Sequence, residues 1–146
     1  MLDILIAEDD TDDLLLFKEA LGHVLPAFNI IHASNGLECL EILKAQAPPD
    51  VIFLDVRMPL RTGLQCLESI KCTPGLGGIP IIMLSTSHNM EEVDACYRSG
   101  ATLYIAKPTD AKTLAITLKG AFHMLQKSKR DSRTIENFRV KDSKYG

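Results

Sequence analysis

The fold is decided by one stretch of the chain, Val51-Ile52-Phe53-Leu54-Asp55. Its four apolar residues do not alternate with polar ones, and they run directly into an acid. A strand that is apolar on both faces is typical of a parallel sheet covered by helices on either side. Ile4-Leu5-Ile6 and Ile81-Ile82-Met83-Leu84 have the same character. We therefore expect a buried parallel sheet in which one central strand ends in an acid.

Five short segments are predicted to be strands, and segments with helical periodicity separate them. The predicted strands cover residues 2–7, 28–32, 51–54, 79–84 and 103–106. Apolar residues at helical spacing mark the five helices, for example Leu14, Phe17 and Leu21 in the first. Strict alternation with right-handed crossovers predicts a doubly wound α/β sheet. In such sheets the functional residues lie just beyond the carboxyl ends of the strands.

Composition places few constraints on function, but the charge is unevenly distributed. The 146 residues have a formal net charge of −3, with −7 on residues 1–125 and +4 on residues 126–146. We find no signal segment and no apolar run of about 18 residues, so we expect a soluble, cytoplasmic protein. We expect no nucleic-acid binding and no membrane association. The four cysteines are widely spaced, and we expect them to pack in helices without binding zinc.

Acids, hydroxyls and one lysine follow the predicted strands. They are Glu8-Asp9-Asp10-Thr11-Asp12-Asp13, Asp55, Ser85-Thr86-Ser87 and Lys107. Clustered carboxylates repel one another, and a hard cation with oxygen ligands, such as Mg²⁺, relieves that repulsion. A lysine suits a phosphoryl oxygen, and an aspartate beside a divalent cation is a competent nucleophile. The pattern predicts phosphoryl transfer to a carboxylate.

The acidic run after the first strand admits other interpretations. Asp12 and Asp13 fall in the first turn of a helix, where negative charge interacts favourably with the dipole without a metal. Asp10 either caps that helix or lies near the metal through water. Acids at alternate positions also imitate a calcium loop, but Asp13 stands where such a loop requires glycine.

The chain resembles the receiver domain of two-component response regulators over about residues 2–125. The motifs that carry the resemblance are Glu8-Asp9, Asp55-Val56-Arg57-Met58-Pro59, Gly63, Ser85, Gly100-Ala101, Tyr104 and Lys107-Pro108. The resemblance implies a flavodoxin-like sheet with strand order 2-1-3-4-5. It also implies a single-domain, chemotaxis-regulator-like protein, with a receiver over residues 1–125 and a basic tail over 126–146. We expect no separate output domain.

The resemblance assigns a role to each matching position. Asp55 is expected to be the phosphoacceptor. Mg²⁺, with Mn²⁺ as the alternative ion, is expected to be held by Glu8, Asp9, Asp55 and the main-chain carbonyl of Arg57. Lys107 is expected to contact the phosphoryl group.

Two further positions are expected to transmit the signal. Ser85 would move to hydrogen-bond the phosphoryl group, and Tyr104 would swing inward with it, changing the face formed by the fourth helix, fifth strand and fifth helix. The neighbouring Thr86 and Ser87 leave the choice of hydroxyl open. The implied partners are a sensor histidine kinase or phosphotransfer protein and a downstream protein at that face. The regulator would be a monomer or a phosphorylation-dependent dimer, and not a turnover enzyme.

Other functions and details remain open at this stage. Asp10-Thr11-Asp12 faintly resembles the nucleophile motif of haloacid dehalogenase-type phosphatases, although Leu14 replaces the expected Thr or Val. A receiver that binds partners without being phosphorylated is a third hypothesis. Arg57 is expected to shield a phosphoryl group from water. The tail is either a frayed extension of the last helix or, over residues 134–140, an ordered arm.

Overall fold

The computed structural model describes residues 1–87, 89–127 and 139–140. The strands are β1 (Leu2–Ala7), β2 (Phe28–Ala33), β3 (Val51–Asp55), β4 (Ile81–Ser85), β5 (Leu103–Ala106) and β6 (Arg139–Val140). The helices are α1 (Thr11–Gly22), α2 (Gly36–Ala45), α3 (Gly63–Lys71), α4 (Met90–Arg98) and α5 (Ala111–Lys127). Within the described ranges, no helix combines the length and apolar character needed to cross a bilayer.

The sheet has the predicted architecture. The strands lie in the order β2-β1-β3-β4-β5-β6, and every pair of neighbours is parallel. Successive β3 residues point to opposite layers: Phe53 packs with α1 and α5, whereas Leu54 packs with α2, α3 and α4. Both faces of the strand are therefore buried, which explains why its sequence shows no alternation.

Three strand boundaries differ from the prediction in ways that matter for the site. β4 begins at Ile81 and not at residue 79, because Pro80 has no N–H to donate, although its carbonyl accepts from Ile52 at 2.9 Å. At their other ends, β3 includes Asp55 and β4 includes Ser85, paired with Leu84 and Ala106 respectively. These two polar residues are thus held by strand pairing.

A sixth strand extends the predicted five-stranded sheet. Arg139 pairs with Tyr104 and Val140 with Ile105, so β6 lies along the outer edge of β5. Arg139 Nη1 also lies 3.8 Å from Met90 Sδ at the start of α4. The ordered-arm interpretation of the tail is confirmed for these two residues, and residues 134–138 lie outside the described ranges.

Side-chain caps begin the helices near the strand ends. Asp10 caps α1 by accepting from the N–H of Asp13 at 3.0 Å, so the capping alternative for Asp10 is correct. Asn89 caps α4 by accepting from the N–H of Glu91 at 2.8 Å. These caps set where each helix leaves the carboxyl edge of the sheet.

The cysteine prediction is correct for three positions and wrong for one. Cys39, Cys66 and Cys96 are buried, whereas Cys72 is exposed. Cys72 lies just beyond the last helical residue of α3, where the chain turns away from the core. Cys72 is two residues beyond the buried Ile70, so it points to the opposite side from the buried stripe of α3.

Candidate functional site

The predicted site residues meet at the carboxyl edge of the sheet. Glu8 follows β1, Asp55 ends β3, Ser85 ends β4 and Lys107 follows β5. Parallel neighbouring strands end on the same side of a sheet, so residues far apart in sequence converge there. Glu8, Asp55 and Ser85 are all buried, with exposed fractions of 2%, 6% and 1%.

The ammonium group of Lys107 lies among three carboxylates. Its Nζ is 2.6 Å from Glu8 Oε1, 2.6 Å from Asp55 Oδ2 and 3.1 Å from Asp13 Oδ2. Asp13 therefore does more than occupy the first turn of α1, since it also forms an ion pair in the site. The lysine holds together acids that would otherwise repel one another.

Burial shifts the protonation of this cluster. Desolvation, reinforced by the neighbouring Asp55, raises the pKa of Glu8 from 4.5 to about 8. Burial alone would lower the pKa of Lys107, but its hydrogen bonds to Asp55 and Glu8 outweigh that effect and the pKa is raised. The lysine is charged at neutral pH, whereas Glu8 readily takes up a proton.

Three acids are arranged to hold a divalent cation. Glu8, Asp9 and Asp55 each offer a carboxylate oxygen, and these atoms all lie within 4.8 Å of one another. Asp9 is exposed, so the cluster has an open side. Oxygen-only ligands fit a hard cation such as Mg²⁺ or Mn²⁺. The main-chain N–H of Arg57 donates to Asp55 Oδ1 at 2.9 Å, while metal ligation by its carbonyl stays a prediction.

A close backbone approach positions the loop after β3. The N–H of Gly63 donates to the carbonyl of Val56 at 2.9 Å. A Cβ at Gly63 would overlap the carbonyl oxygen of Asp55 and lie 2.7 Å from the Cα of Val56. Only glycine lets α3 begin this close to the candidate phosphoacceptor.

Ser85 is buried at the end of β4, whereas Thr86 is exposed and Ser87 is half-buried. Ser85 Oγ donates to Glu92 Oε1 at 2.7 Å and accepts from the N–H of Ser87 at 3.0 Å. The hydroxyl points toward α4 in this structure. Its contact with a phosphoryl group stays a prediction.

The ring of Tyr104 is fully buried. Its hydroxyl lies 3.3 Å from both the carbonyl oxygen of Ser87 and Glu92 Oε1. Burial, together with the nearby Glu92 carboxylate, raises the pKa of Tyr104 to about 12. The ring is thus already inward while the Ser85 hydroxyl donates to Glu92, and the coupled movement of the two residues stays a prediction.

Two residues at the site were not identified from the sequence. Glu92 contacts Ser85 and Tyr104, and its Oε2 lies 3.7 Å from Arg57 Nη2. His32 Nε2 lies 2.8 Å from the main-chain oxygen of Glu8. Both belong to elements whose sequence shows only apolar periodicity. The sequence offered one signal for Glu92: it directly precedes Val93, an apolar residue at helical spacing in α4.

The fold and the site together define a receiver-type α/β domain. The chain belongs to the family of the response regulator receiver domain, whose family model matches residues 4–119. Rcp1 of Synechocystis sp. is 32% identical over 123 residues, covering 80% of this chain and 84% of Rcp1. CheY1 of Helicobacter pylori is 29% identical over 111 residues, covering 76% of this chain and 89% of CheY1.

Solved structures of response regulators have the same fold. The Mn²⁺-bound form of Rcp1 is similar with a TM-score of 0.75 and 30% identity, covering 88% of this chain and 96% of that one. The phosphorylated cyanobacterial phytochrome response regulator RcpA gives a TM-score of 0.77 and 27% identity, covering 91% and 99%. The expected receiver fold and family are thus confirmed. The chain is a component of two-component signalling.

Proposed function

We propose that this chain is a single-domain response regulator that accepts a phosphoryl group on Asp55. The observation that carries the proposal is the 2.6 Å contact between Asp55 Oδ2 and Lys107 Nζ, beside the carboxylates of Glu8 and Asp9. A buried aspartate with a fixed cation on one side and further oxygen ligands on the other suits attack on phosphorus.

The transfer itself is a displacement at phosphorus. A carboxylate oxygen of Asp55 forms a P–O bond while the P–N bond of a donor phosphohistidine breaks, and the departing imidazole nitrogen takes up a proton. Lys107 neutralises charge on the phosphoryl oxygens. The N–H of Arg57 holds the second carboxylate oxygen of Asp55 in place. The product is an acyl phosphate that hydrolyses slowly, so the protein is an acceptor and not a turnover enzyme.

Mg²⁺ would be held by Glu8, Asp9, Asp55 and the main-chain carbonyl of Arg57, and Mn²⁺ is the alternative ion. When bound, the cation supplies charge neutralisation between the aspartate and the incoming phosphoryl oxygens. The mutual approach of the three carboxylate oxygens within 4.8 Å supports this assignment. The Mn²⁺-bound form of the similar Rcp1 supports it as well.

The signal would leave through the face formed by α4, β5 and α5. Tyr104 of β5 and Glu92 of α4 already meet there at 3.3 Å. β6 lies along the edge of β5, so Arg139 and Val140 of the tail lie beside this surface. We propose residues 1–125 as the receiver and 126–146 as a basic tail. The partners would be a sensor histidine kinase or phosphotransfer protein and a downstream protein, with a monomer or phosphorylation-dependent dimer as the active form.

Incubation with acetyl phosphate and Mg²⁺ tests the proposal. Intact-mass measurement should show the addition of one phosphoryl group, which Asp55→Asn and chelation of the metal should each abolish. Asp110→Asn is a matched control, because Asp110 is an exposed aspartate that contacts Thr113 at the start of α5. Incorporation that persists in Asp55→Asn would refute the assignment.

Two further measurements test the other candidate functions, the phosphatase and the receiver that binds partners without being phosphorylated. Sustained turnover of a phosphate ester would favour the phosphatase, but Asp10 of its motif is engaged as the α1 cap. Metal binding without any phosphorylation would favour the receiver that binds partners in an unphosphorylated form. We favour the phosphoacceptor because the acids and the lysine that it requires are in contact.

A further inference from the structure

Glu92 connects three residues around the candidate phosphorylation site. Its Oε1 accepts from Ser85 Oγ at 2.7 Å and lies 3.3 Å from the hydroxyl of Tyr104. Its Oε2 lies 3.7 Å from Arg57 Nη2. The side chain is only 16% exposed, although it belongs to the first turn of α4. One carboxylate thus links the hydroxyl at the end of β4 to the tyrosine of β5.

The contact with Ser85 uses the only hydrogen that this hydroxyl can donate. One of its two acceptor lone pairs is also used, by the N–H of Ser87 at 3.0 Å. To donate to a phosphoryl oxygen on Asp55, Ser85 must therefore release Glu92.

We infer that Glu92 is a positioning residue that holds the Ser85 hydroxyl in the phosphoryl-free arrangement and opposes its transfer to a phosphoryl group on Asp55. The inference rests on the proposed phosphorylation of Asp55. Glu92 competes with the phosphoryl group for the Ser85 hydroxyl, and it keeps the Tyr104 hydroxyl between itself and the Ser87 carbonyl. The equilibrium between the phosphoryl-free and phosphoryl-bound arrangements of Ser85 then depends on Glu92 of α4 as well as on the phosphoryl group.

Binding of beryllofluoride, a phosphoryl mimic, measures this competition. In the presence of Mg²⁺, a titration followed by NMR should show about three- to tenfold tighter binding to Glu92→Ala than to the wild type, which is the range of one lost hydrogen bond. Glu92→Gln should lie in between, because its amide oxygen still accepts from Ser85 while the charge is lost. Glu91→Ala is the matched control, since Glu91 is an exposed acid on the same turn and should leave the affinity unchanged.

A double-mutant cycle with Ser85→Ala separates positioning from a general structural effect. If Glu92 acts through the hydroxyl, Glu92→Ala should give little or no gain in affinity in the Ser85→Ala background. An equal gain in beryllofluoride affinity in both backgrounds, or no gain in the wild-type background, would overturn the inferred role of Glu92. Neither result would contradict phosphorylation of Asp55. Wild-type protein that binds no beryllofluoride, or binds it equally well as Asp55→Asn, would overturn the proposed function and this inference with it.

Discussion

Lys107 Nζ lies 2.6 Å from Asp55 Oδ2, although the two residues are 52 positions apart in the chain. The strand order places β4 between β3 and β5, so the lysine side chain reaches across the end of β4. The same ammonium lies 2.6 Å from Glu8 Oε1. A single cation therefore contacts two buried acids, one that follows β1 and one that ends β3.

Removing that cation should destabilise the metal-free protein. We expect Lys107→Ala to lower the free energy of unfolding by about 3 kcal/mol, the range for breaking a buried ion pair, because Asp55 loses its counter-charge and Glu8 loses a hydrogen-bond partner. Added Mg²⁺ should recover part of the loss. Urea unfolding with and without Mg²⁺ measures both effects, and Lys44→Ala, an exposed lysine on α2, should change stability little. Equal effects of the two substitutions would contradict the compensating role of Lys107.

Stability and metal binding should both depend on pH through Glu8. Because the pKa of Glu8 is raised from 4.5 to about 8, the metal-free native state holds a proton that the unfolded chain releases. Its contribution to stability is full below the unfolded pKa and is lost as the pH rises through the folded pKa. Mg²⁺ requires the ionised carboxylate, so its affinity should rise over the same interval.

Thermal unfolding measured with and without Mg²⁺ checks this linkage. We expect the rise in melting temperature caused by Mg²⁺ to be larger at about pH 8 than at about pH 6. In Glu8→Gln the pH-dependent part of that rise should disappear. If the Mg²⁺-induced rise in melting temperature still depended on pH in this variant, another group would be responsible for the pH dependence.

The close approach at Gly63 makes a sharp steric prediction. Gly63→Ala should lower the free energy of unfolding by about 1–3 kcal/mol, as overpacking does, because the new Cβ would overlap the Asp55 carbonyl. It should also slow phosphorylation by acetyl phosphate, since the Asp55–Val56 backbone must shift. Gly22→Ala is the control: nothing lies within 4 Å of its Cβ, and a small stabilisation is expected.

The loop after β3 contains backbone strain that can be relieved. Leu60 has a φ of +67° and is 79% exposed, and the N–H of Arg61 donates across it to the Pro59 carbonyl at 2.7 Å. This γ-turn geometry is unfavourable for a branched residue, whereas asparagine adopts positive φ more readily. Leu60→Asn should therefore raise the free energy of unfolding by about 0.5–1 kcal/mol. Leu15→Asn, at an exposed leucine within α1, should lower it instead.

Arg57 should lengthen the life of a phosphoryl group on Asp55. Its side chain is 71% exposed and pairs with Glu92 at 3.7 Å, a contact weak enough to exchange for a phosphoryl oxygen. We expect faster loss of the phosphoryl group in Arg57→Asn than in the wild type, measured by intact mass after removal of the donor. Identical decay in the two proteins would show that the guanidinium does not shield the bond.

Most of the fold and the centre of the site could be predicted from the sequence. Apolar strands without alternation, separated by helical stripes, determine a doubly wound sheet, because each strand must be buried on both faces. Residues such as Asp55 and Lys107 follow strands, and parallel strands bring their carboxyl ends to one edge. The order of residues along the chain was therefore enough to place the acids and the lysine together.

The tertiary structure alone decided the contacts between elements. Glu92 on Ser85, Asp13 on Lys107 and His32 on Glu8 depend on how far each helix or strand extends and how it is rotated against its neighbour. A pattern of apolar residues determines which side of an element is buried, but not which polar group at the margin of that side meets which partner. The pairing of β6 with β5 is of the same kind, because strand pairing uses main-chain groups that every residue carries.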